Sequence, residues 1–317
     1  MKKISRLLTA FAAAALLVVM TAASAFAETP DGVDYETGTI TVTGMGVMPD
    51  NARSVAQAKM MARRAAVVEA YRQLAESVQG VNVDSETTVE NMMVTSDVIK
   101  TRVSAMVKGA RITSERVVEG TGYEVTMTVS MFGVSNSVAS AVMEKPAVQE
   151  AFPEPVADVA PSTPSSSVSV NVTVNQPTPS VTTPATTPAT KPSTKPASSA
   201  APAPTGKAIG GYTGLIVDCR GLGLKPVMSP VIKNASGQPI YGYKNLNYDR
   251  VVSEGMAGYT SDMGNAARAG SNPLVVKAVS LDNHNGNPVI SVADANRVLI
   301  ENGATGFLDN MNVVFVR

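Results

Sequence analysis

Residues 52–80 read ARSVAQAKMMARRAAVVEAYRQLAESVQG and form the longest helical pattern in the chain. Apolar side chains recur there at the spacing of one helix face, and five lie within one arc: Ala56, Met60, Val67, Leu74 and Val78. Alanines flank this arc, so another element can approach the helix closely. We predict a helix over residues 52–78 that begins at a capping Asp50 and ends at Gly80.

Strand patterns lie on both sides of this helix. Apolar residues alternate with threonine over residues 37–47, as in a half-buried strand. A shorter helix, capped by Ser96 or Asp97, precedes two strands over residues 112–118 and 123–132. In the last strand apolar side chains point to one face and polar side chains to the other. The sequence therefore predicts a β-α-α-β-β module whose antiparallel sheet packs one face against the helices.

Three blocks carry a resemblance that covers about residues 38–133: AQAKMMARRAAVVEAYRQLAESVQGVNVDSETTV, SDVIKTRVSAMVKGARI and GYEVTMTVSMFG. In content and order they resemble the LPP-type twenty-kilodalton membrane lipoprotein family. The module is also similar to the amino-terminal domain of FlgT, a periplasmic flagellar assembly protein. The resemblance implies a small α/β fold, a place in the cell envelope, no established enzymatic activity and, through FlgT, a flagellar-ring association.

The amino terminus has the features of a secretory signal peptide. Basic residues precede an apolar run over residues 7–21, and AFA at residues 25–27 supplies a cleavage site, so we predict a signal peptide over residues 1–27. The run is shorter than the roughly 20 residues of a membrane span, and no second run follows. A lipid anchor needs a cysteine directly after the cleavage site, but the only cysteine is Cys219. We expect an exported protein, periplasmic or peripherally bound to the outer membrane, without a lipid anchor.

A proline-rich segment divides the rest of the chain. Residues 146–204 hold 13 of the 20 prolines, among Ser, Thr and Ala, which favours a disordered linker over residues 146–205. It separates a domain at residues 28–145 from a carboxy-terminal domain of unknown function at residues 206–317. Four valines inside it alternate with polar residues, either as a strand that docks on a partner's sheet edge or as an accident of composition: Val168, Val170, Val172 and Val174.

The carboxy-terminal domain is predicted to be mixed α/β, so the whole chain is α+β with two small modules. A hairpin is expected around residues 236–237. The predicted strands are residues 215–219, 274–281, 289–291 and 313–316, and the predicted helices are residues 248–254, 262–269 and 293–301.

Composition excludes several functions. The 26 basic and 26 acidic side chains leave no basic footprint for nucleic acid. One His and one Cys cannot form a His/Cys zinc site or a disulfide framework. No serine-hydrolase or zinc-protease motif occurs. We therefore predict a protein that is not an enzyme and has no cofactor.

Two groups of residues are candidate interaction sites. Lys59 and Arg63 fall within the apolar arc of the long helix, where they either extend to the edge of the core or pair with a partner's acids. Asp218, Arg220 and Lys225 lie on a glycine-containing loop after a strand, which is either an anion-binding loop or a tight turn with an Asp–Arg pair.

These observations predict a structural or interaction module of the cell envelope. The expected partners are envelope proteins, with flagellar motor components and a second copy of the chain among the candidates. The alternative is a periplasmic glycan- or ligand-binding protein that uses the loop at residues 218–225.

Overall fold

The computed structural model describes residues 31–118, 122–156 and 206–317. The predicted signal peptide, most of the predicted linker and its alternating valines lie outside the described residues. The chain divides into two compact units: unit 1 comprises residues up to 81 and residues 87–143, and unit 2 comprises residues 82–86 and 144–317. Both units mix helices with strands, which confirms the α+β class.

Unit 1 contains a four-stranded antiparallel sheet in the order β1-β2-β4-β3. The strands are β1 (Gly32–Asp34), β2 (Thr39–Val47), β3 (Arg111–Val118) and β4 (Gly122–Ser130). The helices are α1 (Val55–Gln79), α2 (Val89–Thr95), α3 (Asp97–Lys108) and α4 (Val138–Val142). The predicted β-α-α-β-β succession is confirmed, although the sequence analysis missed the short elements β1, α2 and α4.

The first helix begins later than predicted and buries a different face. Ser54, not Asp50, caps α1 by accepting a hydrogen bond from the backbone N–H of Gln57 (3.2 Å). The buried side chains recur at every fourth position: Ala58, Ala62, Ala66, Ala70, Leu74 and Val78. Met60 is 60% exposed and Ala56 is also exposed, so the predicted arc is wrong at its amino-terminal end.

The alanine face is buried because glycines of β2 face it. A Cβ atom at Gly46 would lie 2.0 Å from the carbonyl oxygen of Ala62, and one at Gly44 would lie 2.3 Å from that of Ala66. Helix and strand therefore meet backbone to backbone, and larger side chains at these positions would separate them. Strand β4 supplies the rest of this core, with the predicted alternation: Val125, Met127 and Val129 are buried.

Unit 2 is built on a seven-stranded mixed sheet in the order β7-β6-β10-β9-β5-β11-β8. The strands are β5 (Gly214–Asp218), β6 (Ile232–Asn234), β7 (Pro239–Tyr241), β8 (Gly258–Thr260), β9 (Pro273–Asp282), β10 (Asn287–Ile290) and β11 (Val313–Val316). The α-helices are α5 (Tyr248–Glu254) and α6 (Val292–Thr305).

The predicted strands and helices of unit 2 are confirmed except at residues 262–269, and two short elements were missed, β8 and the 3-10 turn Tyr243–Asn245. Strand β8 was missed because it has only three residues. Residues 262–269 form two 3-10 turns, Met263–Asn265 and Ala267–Ala269, instead of one helix. The Asp262 carboxylate accepts the N–H of Gly264 and closes a local turn, which competes with helix formation.

The start of the predicted linker differs from its predicted role. Phe152 stacks on Tyr241 with ring centroids 6.3 Å apart, and the backbone of Val156 exchanges two hydrogen bonds with the Asn296 side chain (2.9 and 2.7 Å). Residues 146–156 therefore belong to unit 2. Because residues 206–317 also belong to unit 2, the proline-rich segment leaves and re-enters the same unit.

Candidate functional sites

The loop after β5 begins with hydrogen bonds between two of its own residues, Asp218 and Arg220. The Asp218 carboxylate accepts hydrogen bonds from Arg220 Nε (2.9 Å), Arg220 Nη2 (2.8 Å) and the Arg220 backbone N–H (3.1 Å). The hydrogen bond from the Arg220 guanidinium is the main reason that the pKa of Asp218 lies below its ordinary value. Gly221 and Gly223 adopt positive φ angles, as a tight turn requires. This geometry favours the tight-turn interpretation of the loop.

Lys225 lies apart from that pair. Its side chain is exposed, and its backbone N–H donates to the carbonyl oxygen of Asn285 (2.9 Å). The loop is thus tied to the hairpin turn between β9 and β10, where Asn283, His284 and Asn285 all have positive φ. The structure thus brings Asp218 and Arg220 together, whereas the backbone of Lys225 hydrogen-bonds to another loop.

Cys219 is a buried core residue. Burial is the first cause that raises the pKa of its thiol to about 12, and the neighbouring Asp218 charge adds to the rise. The thiolate that a nucleophile or metal ligand needs is therefore strongly disfavoured. Among the described residues, no group of three or more His, Cys, Asp and Glu side chains is placed to hold a metal ion.

Lys59 and Arg63 lie on the exposed side of α1, not in its buried face. Arg63 Nε donates to Glu115 Oε2 of β3 at 2.8 Å, and this hydrogen bond is the main cause that raises the pKa of Arg63. Both side chains are part-exposed, so the pair contributes little to the free energy of unfolding. It nevertheless links the helix to β3, one of the two edge strands of the sheet.

The edge strand β3 forms a surface that was not predicted from the sequence. Only β4 pairs with it among the described strands, and every residue from Arg111 to Val117 is exposed. Its apolar side chains Ile112 and Val117 are 40% and 42% exposed. The alternating pattern predicted a strand here, but a strand pattern does not reveal its place in the sheet.

Unit 2 contains a cleft of about 690 Å³, which the sequence analysis also missed. Four parts of the chain line it: residues 84–86, 150–153, 229–245 and 283–287. None of these parts carries a recognisable motif, because the cleft exists only when the four come together in the fold. Its volume falls within the range of small-molecule sites.

A model of a known protein family matches unit 1 from α1 to β4. Residues 48–130 match the LPP20 lipoprotein family. This match confirms the predicted LPP-type resemblance and supports an envelope-associated, lipoprotein-like protein. LPP20 is not known as an enzyme family.

Residues 214–317, from β5 to β11, match the second domain of Treponema pallidum Tp0624. No curated protein shows a significant match to the chain. The similarity to FlgT therefore stays a prediction. Within residues 31–118, 122–156 and 206–317, no helix is both long and apolar enough to cross a membrane.

Proposed function

We propose that the protein is an exported, non-enzymatic protein of the cell envelope that binds another envelope protein through strand β3 of its LPP20 module. The observation that carries this proposal is the exposure of β3 at the sheet edge. The outer backbone of an edge strand is a template on which an extended segment of a partner can add a further strand.

Several features of β3 suit strand addition. It has eight residues and contains neither proline nor lysine, two residues that natural proteins use to protect edges. Its central charges are already paired within the chain, Glu115 with Arg63 and Arg116 with Glu124 (2.7 Å). A register shift between residues 112 and 114 leaves residues 114–118 as the regular part of the edge.

The test compares two lysine substitutions in the mature protein. Val117→Lys places a charge on the edge strand, whereas Val94→Lys places one at an 83% exposed position outside it. Cells that express each variant are cross-linked, and the proteins that co-purify are identified by mass spectrometry. We expect Val117→Lys to lose the partner and Val94→Lys to keep it. Equal recovery from both variants, or recovery of the wild type as a free monomer, would contradict the proposal.

The flagellar association belongs to the same proposal and has its own test. A strain that lacks the gene should show reduced motility and altered basal bodies if the partner is a flagellar motor component. Normal motility with normal basal bodies would remove the flagellar role. The parent strain, which keeps the gene, provides the mature protein, whose amino-terminal residue should be Glu28 if the signal peptide is cleaved as predicted.

The alternative of ligand binding through residues 218–225 has less support, because Arg220 is directed at Asp218. A pull-down on purified peptidoglycan with wild type and Arg220→Ala tests it. We expect equal retention of the two proteins, and a clear loss with Arg220→Ala would restore the loop as a binding site.

A further inference from the structure

The cleft of unit 2 has walls that are held in place without a ligand. The backbone N–H groups of Met228 and Ser229 donate to the carbonyl oxygens of Asn82 (3.0 Å) and Val83 (2.7 Å). Asn287 Nδ2 donates to Ser85 Oγ at 3.1 Å. These bonds fix residues 82–86 as one wall of the cleft.

A second wall is the segment at residues 150–153, called the strap below. Its Glu150 N–H donates to the carbonyl oxygen of Lys244 (2.8 Å), and Asn245 Nδ2 donates to the carbonyl oxygen of Ala151 (3.0 Å). Two walls fixed by hydrogen bonds reduce the ordering that a ligand would otherwise have to impose.

The lining combines hydrogen-bonding and apolar groups. Asp84, Glu86 and Glu150 contribute carboxylates, and Gln238 and Asn283 contribute side-chain amides. An amide donates and accepts at once, and a carboxylate accepts strong hydrogen bonds from hydroxyl groups. The half-exposed ring of Tyr243 adds a flat apolar surface between these groups.

The charges of the lining disfavour an acidic ligand. Lys233 Nζ donates to Asp282 Oδ2 at 2.6 Å, and Lys244 Nζ lies 3.7 Å from Glu150 Oε1. Both ammonium groups thus face acids of the chain itself, while Glu86 adds further negative charge to the lining. A phosphate or an acidic sugar would meet like charge there.

We infer that this cleft binds a short uncharged saccharide. The sugar hydroxyl groups match the carboxylates and amides, and the C–H face of a pyranose ring packs on Tyr243. This site lies in unit 2 and involves no residue of β3. A failure to bind saccharide would therefore say nothing against the protein contact proposed for β3, and loss of that contact would say nothing against the saccharide site.

The experiment titrates the mature protein with triacetylchitotriose and maltotriose as neutral probes and with sialyllactose as an acidic one. Binding is measured by calorimetry and by changes in NMR spectra. We expect at least one neutral probe to bind and sialyllactose to bind more weakly. Tyr243→Ala and Glu86→Ala should each lower the affinity for the neutral probe by about tenfold, which is the expected effect of losing one good contact.

The matched controls are Tyr243→Phe, which keeps the ring, and Glu90→Ala, which removes an exposed carboxylate outside the cleft. Both should bind like the wild type. Tyr243 also donates to the carbonyl oxygen of Glu144 (2.5 Å), so thermal unfolding is measured for every variant. If Tyr243→Ala does not fold, the result with Glu86→Ala decides the test. The inference is overturned if neither neutral probe binds at millimolar concentration, if sialyllactose binds more tightly, or if Glu86→Ala binds as the wild type does.

Discussion

Gly46 determines how closely α1 lies on the sheet of unit 1. A Cβ atom there would lie 2.0 Å from the carbonyl oxygen of Ala62 and 2.6 Å from the backbone nitrogen of Ala66. Both neighbours are backbone atoms, so they cannot move aside as a flexible side chain would. We predict that Gly46→Ala forces the helix away from β2 and lowers the free energy of unfolding of unit 1 by about 3 kcal/mol.

The matched control is Gly80→Ala at the end of the same helix. The nearest atom to a Cβ atom there is the carbonyl oxygen of Ser77, at 3.6 Å, and the backbone is already helical. Urea denaturation should show Gly80→Ala to be as stable as the wild type or slightly more stable. A Gly46→Ala protein with unchanged stability would show that the backbone contact is not tight.

Cys219 provides a second prediction at the scale of one residue. Its thiol is buried and burial raises its pKa to about 12, so the reactive thiolate is almost absent near neutral pH. We predict that the folded protein does not react with a thiol reagent such as DTNB, and that reaction follows the unfolding of unit 2 in urea. Rapid reaction without denaturant would place the thiol in a more open environment.

Helix α6 holds the chain on both sides of the proline-rich segment. Asn296 binds the backbone of Val156, and the Glu301 carboxylate accepts the N–H groups of Ile209 (2.9 Å) and Gly210 (2.8 Å). The two side chains are five residues apart, which corresponds to about 7.5 Å along the helix axis. The chain therefore leaves and rejoins unit 2 at the same helix.

Glu301 makes this attachment dependent on pH. Burial alone would raise the pKa of its carboxyl group, but the N–H groups of Ile209 and Gly210 and the Arg297 guanidinium outweigh burial and lower it. A pKa below the unfolded value of about 4.3 stabilises the fold above that pH, and the contribution is lost as the pH falls through the lowered pKa. We predict that stability declines on acidification below about pH 4.3 in the wild type, and less so in Glu301→Gln.

At neutral pH Glu301→Gln should cost about 2–4 kcal/mol, because a buried ionic partner of Arg297 is lost. Hydrogen exchange at Ile209 and Gly210 should become faster in this variant. Glu254→Gln removes an exposed carboxylate that pairs with Arg250 at the same i,i+4 spacing, and it should leave both properties unchanged. Equal exchange in all three proteins would contradict the role of Glu301.

Local patterns in the sequence predicted most helices and strands, because the formation of a helix or strand depends mainly on residues close together in the chain. The helix Tyr248–Glu254 and the strand Val313–Val316 agree with prediction at both ends. The predicted face of α1 is right at Leu74 and Val78 but wrong at its amino-terminal end, because the burial of the alanines there depends on glycines of a distant strand. The cleft of unit 2 could not be predicted either, because its walls come from four separate parts of the chain.

The course of the whole chain changes the interpretation of the proline-rich segment. A linker between two modules would begin in one unit and end in the other, whereas residues 144–156 and 206–317 both belong to unit 2. The chain passes between the units at residues 81–82, 86–87 and 143–144. A cut in the proline-rich segment should therefore leave unit 2 assembled, because the segment is then a loop of that unit. A cut in a tether between two units would instead separate them.

A cleavage experiment tests this at the scale of the whole molecule. A site for a sequence-specific protease is inserted after Thr183, and the cut protein is run on a size-exclusion column with and without urea. We predict that the two fragments elute together without urea, because residues 82–86, Phe152 and Val156 on one fragment all bind the other fragment.

Variants of the strap show whether these contacts are responsible. Phe152→Ala combined with Asn296→Ala removes the ring stack and the amide hydrogen bonds, whereas Val148→Ala changes a 73% exposed side chain just before the strap. The cut double variant should separate at a lower urea concentration than the cut wild type, and Val148→Ala should not. If the wild-type fragments separated without urea, residues 144–156 would not be a part of unit 2, and the segment would act as a tether after all.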